Sequence, residues 1–291
     1  MSALSRNGAL FALAAYTAWG FAPLYWKQLA RFDATHVIAH RILWSLAFAF
    51  LLCFVLRQGA ALGAVLRGRH RFVLVASGLL LGCNWWIFIW AVNHDRIVDT
   101  SLGYYLTPLL NVALGMLIFG ERLTRVQALA VGLAAAGVAF MAWELGELPW
   151  ISLALGASFA LYGVLRKWVD AGSLVGFLTE MAVLSLPAAL FLTTSAGEIS
   201  LLRGREIPAE TLVWLAGCGI VTAFPLLCFA SAARRLPLSA VGIFQYLAPS
   251  LSLLLAVFLY EEPFTSTHGV TFALIWSALV LYTTESFRKS A

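Results

Sequence analysis

Charge is scarce in this chain: Asp, Glu, Lys and Arg together make up 11% of its 291 residues, against 62% hydrophobic. So few ionisable side chains cannot clothe a soluble core of this size, which excludes a water-soluble globular enzyme and makes lipid the solvent. Cysteine is scarce as well. Cys53, Cys83, Cys218 and Cys228 all fall inside apolar stretches, without CxxC or Cys/His spacing, so neither a disulfide framework nor a zinc site is expected, only small buried hydrophobes. HExxH, paired aspartates, Gly-x-Ser-x-Gly and any nucleotide-binding motif are missing too. An intramembrane enzyme would therefore lack its nucleophile or metal set, and no cofactor or metal is called for. Long polar stretches are also absent, since no charge run exceeds Arg234-Arg235 and the longest break, Gly197 to Glu210, has no room for a domain. Function is expected within the membrane part. The alternative, a non-transporting sensor or subunit of a membrane complex, calls for a docking domain that this reading does not find.

What is present is a series of apolar windows of about 20 residues, the length that crosses a hydrocarbon core of ~30 Å. They begin near Ala9, Thr35, Phe72, Ser101, Leu123, Pro149, Ser173, Thr211, Ser239 and Thr267, which predicts ten transmembrane helices in an all-α integral membrane protein. The first window, Ala9 to Trp26, ends without a small-x-small cleavage site and runs into Tyr25, Trp26 and Lys27, an interfacial anchor, so it is expected to stay in the mature protein.

Lys and Arg are unevenly divided between alternate loops. One face carries thirteen: Arg6, Arg57, Arg67, Arg69, Arg71, Arg122, Arg125, Arg166, Lys167, Arg234, Arg235, Arg288 and Lys289. The other carries five, Lys27, Arg31, Arg96, Arg203 and Arg205, and Arg41 lies within a helix. Both termini are thus expected in the cytoplasm. The net charge of +5 calls for no nucleic-acid partner, because it is spread over loops that meet anionic headgroups of the lipid bilayer.

The chain also repeats itself. Tyr105/Tyr246, Leu106/Leu247, Pro108/Pro249, Leu110/Leu251, Leu114/Leu255, Glu121/Glu262 and Thr124/Thr265 all pair at an offset of 141 residues. The expected units are residues 1–145 and 146–291. Five helices per unit is an odd number, so the second unit enters the membrane from the opposite side. Glu121, beside Arg122 and Arg125, falls on the basic face, and Glu262 on the face without basic neighbours in sequence. Inverted repeats around a midplane cavity are the architecture of secondary transporters working by alternating access.

The paired helices ending in Pro and Glu resemble the EamA repeats of the drug/metabolite transporter superfamily. The stretches His40-Arg41-Ile42-Leu43-Trp44-Ser45, Asn84-Trp85-Trp86, Ser101-Leu102-Gly103-Tyr104, Gly120-Glu121-Arg122-Leu123, Tyr162-Gly163-Val164-Leu165-Arg166-Lys167 and Arg234-Arg235-Leu236-Pro237-Leu238-Ser239 are similar to the RarD group within it. That resemblance covers the whole chain. It implies ten helices, cytoplasmic termini and a transporter of the bacterial inner membrane, in a group named for a link to chloramphenicol sensitivity. One departure stands at Thr107, where the family is expected to carry Asn before the proline.

A polar side chain in an apolar span needs a partner or water, which marks the candidates for handling a small-molecule solute. Pro108 and Pro249 each remove a backbone donor and free a carbonyl one turn earlier, near Tyr104 and Gln245; they act as a hinge pair in the cavity or merely bend helices. Tyr105 and Tyr246 lie within a turn of them. In the third window, Trp86, Trp90 and Asn93 share a face and Asn84 lies near mid-membrane, suiting a flat organic solute, with an aromatic belt or interhelical glue as the alternatives. Tyr16 and Trp19 before Gly20 correspond to Phe159 and Tyr162 before Gly163 at an offset of 143; the glycines suit close helix packing, and Trp19 and Tyr162 are wall candidates. His40, Arg41 and Glu180 are the ionisable groups within spans. Arg41 and Glu180, at an offset of 139, lie ~9 to 10 Å deep from opposite sides, leaving about 10 Å between them in a ~30 Å core, too far for an ion pair. Arg41 can snorkel to the outer interface. Glu180 cannot readily do so, and is either a proton carrier or a neutral structural group; His40 is protonatable or structural.

Overall fold

The computed structural model describes residues 3–69, 71–119, 124–169, 171–196, 199, 207–233 and 244–290. Its elements are α1 (Ala3–Gly20), α2 (Ala22–Lys27), α3 (Ala34–Val55), α4 (Gly59–Arg67), α5 (Arg71–Asn93), α6 (Ile97–Phe119), α7 (Arg125–Leu145), α8 (Trp150–Lys167), α9 (Ser173–Thr194), α10 (Ala209–Ala233), α11 (Leu247–Leu254), a π-helical turn (Leu255–Leu259) and α12 (Ser266–Ser290). Every apolar window holds helix. Five helices are long and apolar enough to cross a membrane, Ala34–Val55, Arg71–Asn93, Arg125–Leu145, Ser173–Thr194 and Ala209–Phe229, and Trp150–Arg166, Leu247–Leu259 and Ser266–Tyr282 are shorter apolar helices.

Local chemistry sets where elements stop. The first window breaks in two at Phe21, because Pro23 in the first turn of α2 cannot donate back into α1. Thr124 and Gln127 form a reciprocal capping box that starts α7, and Gly146, left-handed at φ 68°, ends it. The short α4 lies among Arg57, Arg67, Arg69 and Arg71 and buries none of its residues. Sequence reading treats this stretch as loop.

The long helices pack mainly across the two halves. α1 packs on α10, α3 on both α9 and α10, α5 on α8 and α9, α6 on α8 and α11, α7 on α12 and α1 on α11. Exchanging each helix with its counterpart 141 residues on (α1–α2 with α8, α3 with α9, α5 with α10, α6 with α11, α7 with α12) turns this set of pairs into itself. Small residues permit the closest crossings. A Cβ at Gly103 would stand 2.7 Å from Ser152 O, and one at Gly219 would stand 2.6 Å from Trp44 O. Glycine is therefore required where α6 meets α8 and where α10 meets α3.

Candidate functional site

α3 carries the buried His40 and Arg41 and α9 the buried Glu180, and the fold treats them differently. Arg41 on α3 is 7% exposed. Its guanidinium carbon lies 3.8 Å from the Trp85 ring centroid and 4.7 Å from that of Trp26, and its Nε donates to Thr222 Oγ1 of α10 at 3.0 Å. No carboxylate among the described residues pairs with it. Arg41 does not snorkel: the two indoles stabilise the cation through their faces, so it need not reach water. The adjacent His40 points elsewhere, with Nε2 2.7 Å from Ile199 O, tying α3 to the connection before α10.

Glu180 on α9 is fully buried. Its Oε1 accepts from Ser77 Oγ at 2.6 Å, its Oε2 accepts from Tyr162 OH at 3.3 Å, and Arg166 Nη1 lies 3.7 Å from Oε1. The carboxyl thus joins α5, α8 and α9. Gly78 allows this approach, since a Cβ there would meet Glu180 Cα at 3.3 Å. Arg41 and Glu180 are not partners.

A second cluster joins the two proline regions. Tyr105 OH is hydrogen-bonded to Ser250 Oγ, and the Tyr105 and Tyr246 rings stack at 6.3 Å with 17° between planes. The repeat-related tyrosines therefore meet face to face where α6 crosses α11. Pro108 sits inside the continuous helix α6, whereas Pro249 falls in the first turn of α11, following the turn residues Gln245 and Tyr246. At that position a missing N–H costs no hydrogen bond, so the two prolines bend the chain in different ways. Thr107 Oγ1 donates to Gly103 O at 3.3 Å and is buried.

The remaining candidates separate. Asn84, 1% exposed, donates from Nδ2 to Leu155 O at 3.0 Å and Ser158 Oγ at 2.8 Å and accepts from Tyr104 OH at 3.3 Å, so its amide bonds α5, α6 and α8. Trp86 is 37% exposed on the bundle surface, with Nε1 donating to Thr35 Oγ1 at 3.1 Å. Trp90 stacks on His94 at 4.2 Å and leans on Trp150 at 5.6 Å. Tyr16 and Trp19 pack edge-on at 5.4 Å beside Phe229, in a small cluster at the α1–α10 crossing.

One end of α6 is closed by the other half of the chain. Both carboxylate oxygens of Glu262 accept backbone amides, Ile97 N and Val98 N, each at 2.9 Å, satisfying donors that a helix start leaves free. Burial pushes the Glu262 carboxyl above the usual carboxylate range, and the two amides pull it back. Lys27, which pairs with Asp95 and lies 5.0 Å over the Tyr260 ring, supplies a basic neighbour that sequence adjacency does not show. Glu121, its repeat counterpart, lies outside the described residues.

Residues that sequence reasoning misses are the partners: Trp26, Trp85, Thr222, Ser77, Arg166 and Ser158. Arg166 reads as a loop charge and Trp85 as the neighbour of Trp86. Trp85 follows the phase of Asn84 and Leu81, but only the structure shows that those two are buried.

The EamA-like transporter family model matches this chain twice, over residues 6–143 and 148–284. The chain is 42% identical over 283 residues to Protein RarD of Escherichia coli, covering 97% of this chain and 95% of that protein. It is 42% identical over 286 residues to an uncharacterized transporter of Vibrio cholerae, covering 98% and 94%, and 35% identical over 292 residues to the Chloramphenicol-sensitive protein RarD of Pseudomonas aeruginosa, covering 98% and 96%. A solved crystal structure superposes with a TM-score of 0.61 over 98% of this chain and 99% of its own, at 19% identity, a likeness of fold alone.

Proposed function

The chain belongs to the EamA-like transporter family, and from that premise we propose that this multi-pass membrane protein is a secondary transporter exporting small amphipathic organic solutes by alternating access. Its ten helices span the bacterial inner membrane as inverted units, residues 1–145 and 146–291, with both termini in the cytoplasm. The observation that carries the reading is the packing. Helix pairs cross between the halves and form a set unchanged by exchange of the halves, so swapping the two conformations of the halves produces the two-fold-related opening without new kinds of contact. A cavity between α1, α5, α6, α8, α10 and α11 holds the solute. Tyr104, Tyr105, Tyr162, Gln245 and Tyr246 line it, and Pro108 and Pro249 bend on its walls. Glu180, held by Ser77, Tyr162 and Arg166, is the group through which protons couple to movement.

The test is flux in liposomes containing only this protein, with a pooled panel of amino acids, organic acids, other metabolites and chloramphenicol read by mass spectrometry, with and without an imposed pH gradient. Accumulation of a solute only with the gradient supports a proton-coupled carrier. Equal rates in both conditions leave a facilitator and remove the coupling role. No movement by folded protein favours a sensor or subunit instead.

A further inference from the structure

The geometry points to Arg41 as the anchor for a carboxylate group on the transported solute, an assignment that rests on the transporter reading and gives it a substrate class. A guanidinium offers five N–H donors in one plane. Here Nε is taken by Thr222, and the guanidinium carbon lies over the rings of Trp26 and Trp85. The four N–H groups on the two Nη atoms make no hydrogen bond to any described residue. Nor are those atoms sealed in: the enclosed side-chain polar atoms without a partner among the described residues are Ser45 Oγ, Asn93 Oδ1 and Arg166 Nη1. The Nη edge of the Arg41 guanidinium therefore keeps some accessible surface, inside a residue otherwise 93% covered.

The comparison with α9 sharpens this. At the equivalent depth of the other half, the buried charge of Glu180 already has its partner in Arg166. Arg41 has none among the described residues, and a lone buried cation in a bundle marks a ligand counter-ion position. The geometry of the free donors selects the ion: the Nη N–H groups lie in one plane and are matched best by two oxygens side by side, which a carboxylate presents in bidentate fashion. Tyr25, Tyr104 and Cys218 stand close enough to act electrostatically on the guanidinium, and their largely apolar surfaces suit the organic remainder of an amphipathic acid.

The experiment uses the full chain in liposomes and in nanodiscs. Its probes are amino acids and aromatic and aliphatic carboxylic acids, each paired with its primary amide, together with inorganic phosphate. Flux is read by mass spectrometry and equilibrium binding by quenching of tryptophan fluorescence. The expected result is movement of carboxylates at least tenfold faster than their amides, with Arg41→Gln abolishing that preference and Arg41→Lys restoring part of it. Thr222→Val, which leaves the charge in place but releases its orientation, raises KM severalfold with the maximal rate unchanged; this variant decides the matter if Arg41→Gln does not fold. Amides moving as fast as acids, phosphate outcompeting every carboxylate, or undiminished carboxylate flux in Arg41→Gln overturns the assignment while leaving a transporter. Carboxylate binding that depends on Arg41, without flux of any solute, keeps the site and overturns the transporter reading. Absence of both binding and flux overturns both.

Discussion

Glu180 and Arg166 make the ion pair whose worth is most directly measurable. At 3.7 Å, two unit charges in an effective dielectric near 20 attract with about 4 to 5 kcal/mol. Desolvating a carboxyl that is fully buried offsets much of that, and the Arg166 side chain keeps 17% of its surface exposed, so screening takes more. A coupling energy of about 1 to 3 kcal/mol remains. The perturbation is a double-mutant cycle of Glu180→Gln, Arg166→Gln and the double variant, followed by reversible unfolding in mixed dodecylmaltoside and SDS micelles. Glu180→Gln keeps an acceptor oxygen for one of Ser77 Oγ and Tyr162 OH and presents an amide donor to the other hydroxyl, which can turn to accept, so its cost reports mainly the lost charge and the arginine left behind. The double variant is expected to be less destabilised than the sum of the singles by the coupling energy. Singles that add to within about 0.5 kcal/mol would refute the pair as an energetic unit. The same Glu180→Gln protein in liposomes tests the coupling role separately. Flux that keeps its response to a pH gradient after this substitution removes Glu180 from proton handling, whatever its worth to stability.

Other outcomes follow from the packing. Gly103→Ala drives a methyl group toward Ser152 O at 2.7 Å and is expected to cost about 1 to 3 kcal/mol, while Gly132→Ala, with nothing within 4 Å, is expected to be neutral or to stabilise by up to ~1 kcal/mol; thermal unfolding of both in detergent separates overpacking from a general intolerance of change. Glu262→Ala removes the acceptor from Ile97 N and Val98 N and is expected to cost about 1 to 2 kcal/mol, measured in the same unfolding assay. Because burial raises the Glu262 carboxyl above 4.5, the folded chain holds more protons there than the unfolded one, so this site's contribution is complete below pH 4.5 and declines as pH rises through the folded value; the slope should vanish in Glu262→Gln. Cys83, exposed on the bundle surface in the middle of α5, faces lipid, so in intact membranes a charged thiosulfonate should leave it unmodified and should label it once SDS dissolves the bilayer.

Which parts of this molecule were legible in its sequence depends on whether a signal is carried by one segment or by two. Helices needed only local information: each apolar window holds one, and the break at Phe21 follows from Pro23. The repeat was legible because Tyr105 and Tyr246, or Glu121 and Glu262, are copies. Contacts between segments were not. Arg41 sits in a window compatible with snorkelling, and only the arrival of the Trp26 and Trp85 rings beside its guanidinium makes burial cheaper than reaching the interface. Arg166 counts as a loop charge because it lies at the end of α8, yet its guanidinium lies over Gly176 and reaches Glu180. Of the adjacent indoles in α5, phase alone could not say that Trp85 turns inward and Trp86 outward, since a helix with apolar residues all round has no polar face to orient it. Asn84 presents the same difficulty, and the carbonyl of Leu155 that it binds has no signature at all.

The traffic of packing between the halves has a consequence for how the protein is made. At about 5 to 20 residues per second, a ribosome needs on the order of ten seconds or more to emit the second half after the first. During that time α1, α3, α5, α6 and α7 are without α8, α9, α10, α11 and α12, the helices that they mainly pack against. Arg41 then has no Thr222, Asn84 has no Leu155 carbonyl, and the first amides of α6 have no Glu262. The newborn half is thus a set of helices whose polar groups still lack their partners, and a stop codon or a stalled ribosome at its end would leave a substrate for quality control rather than a smaller working protein.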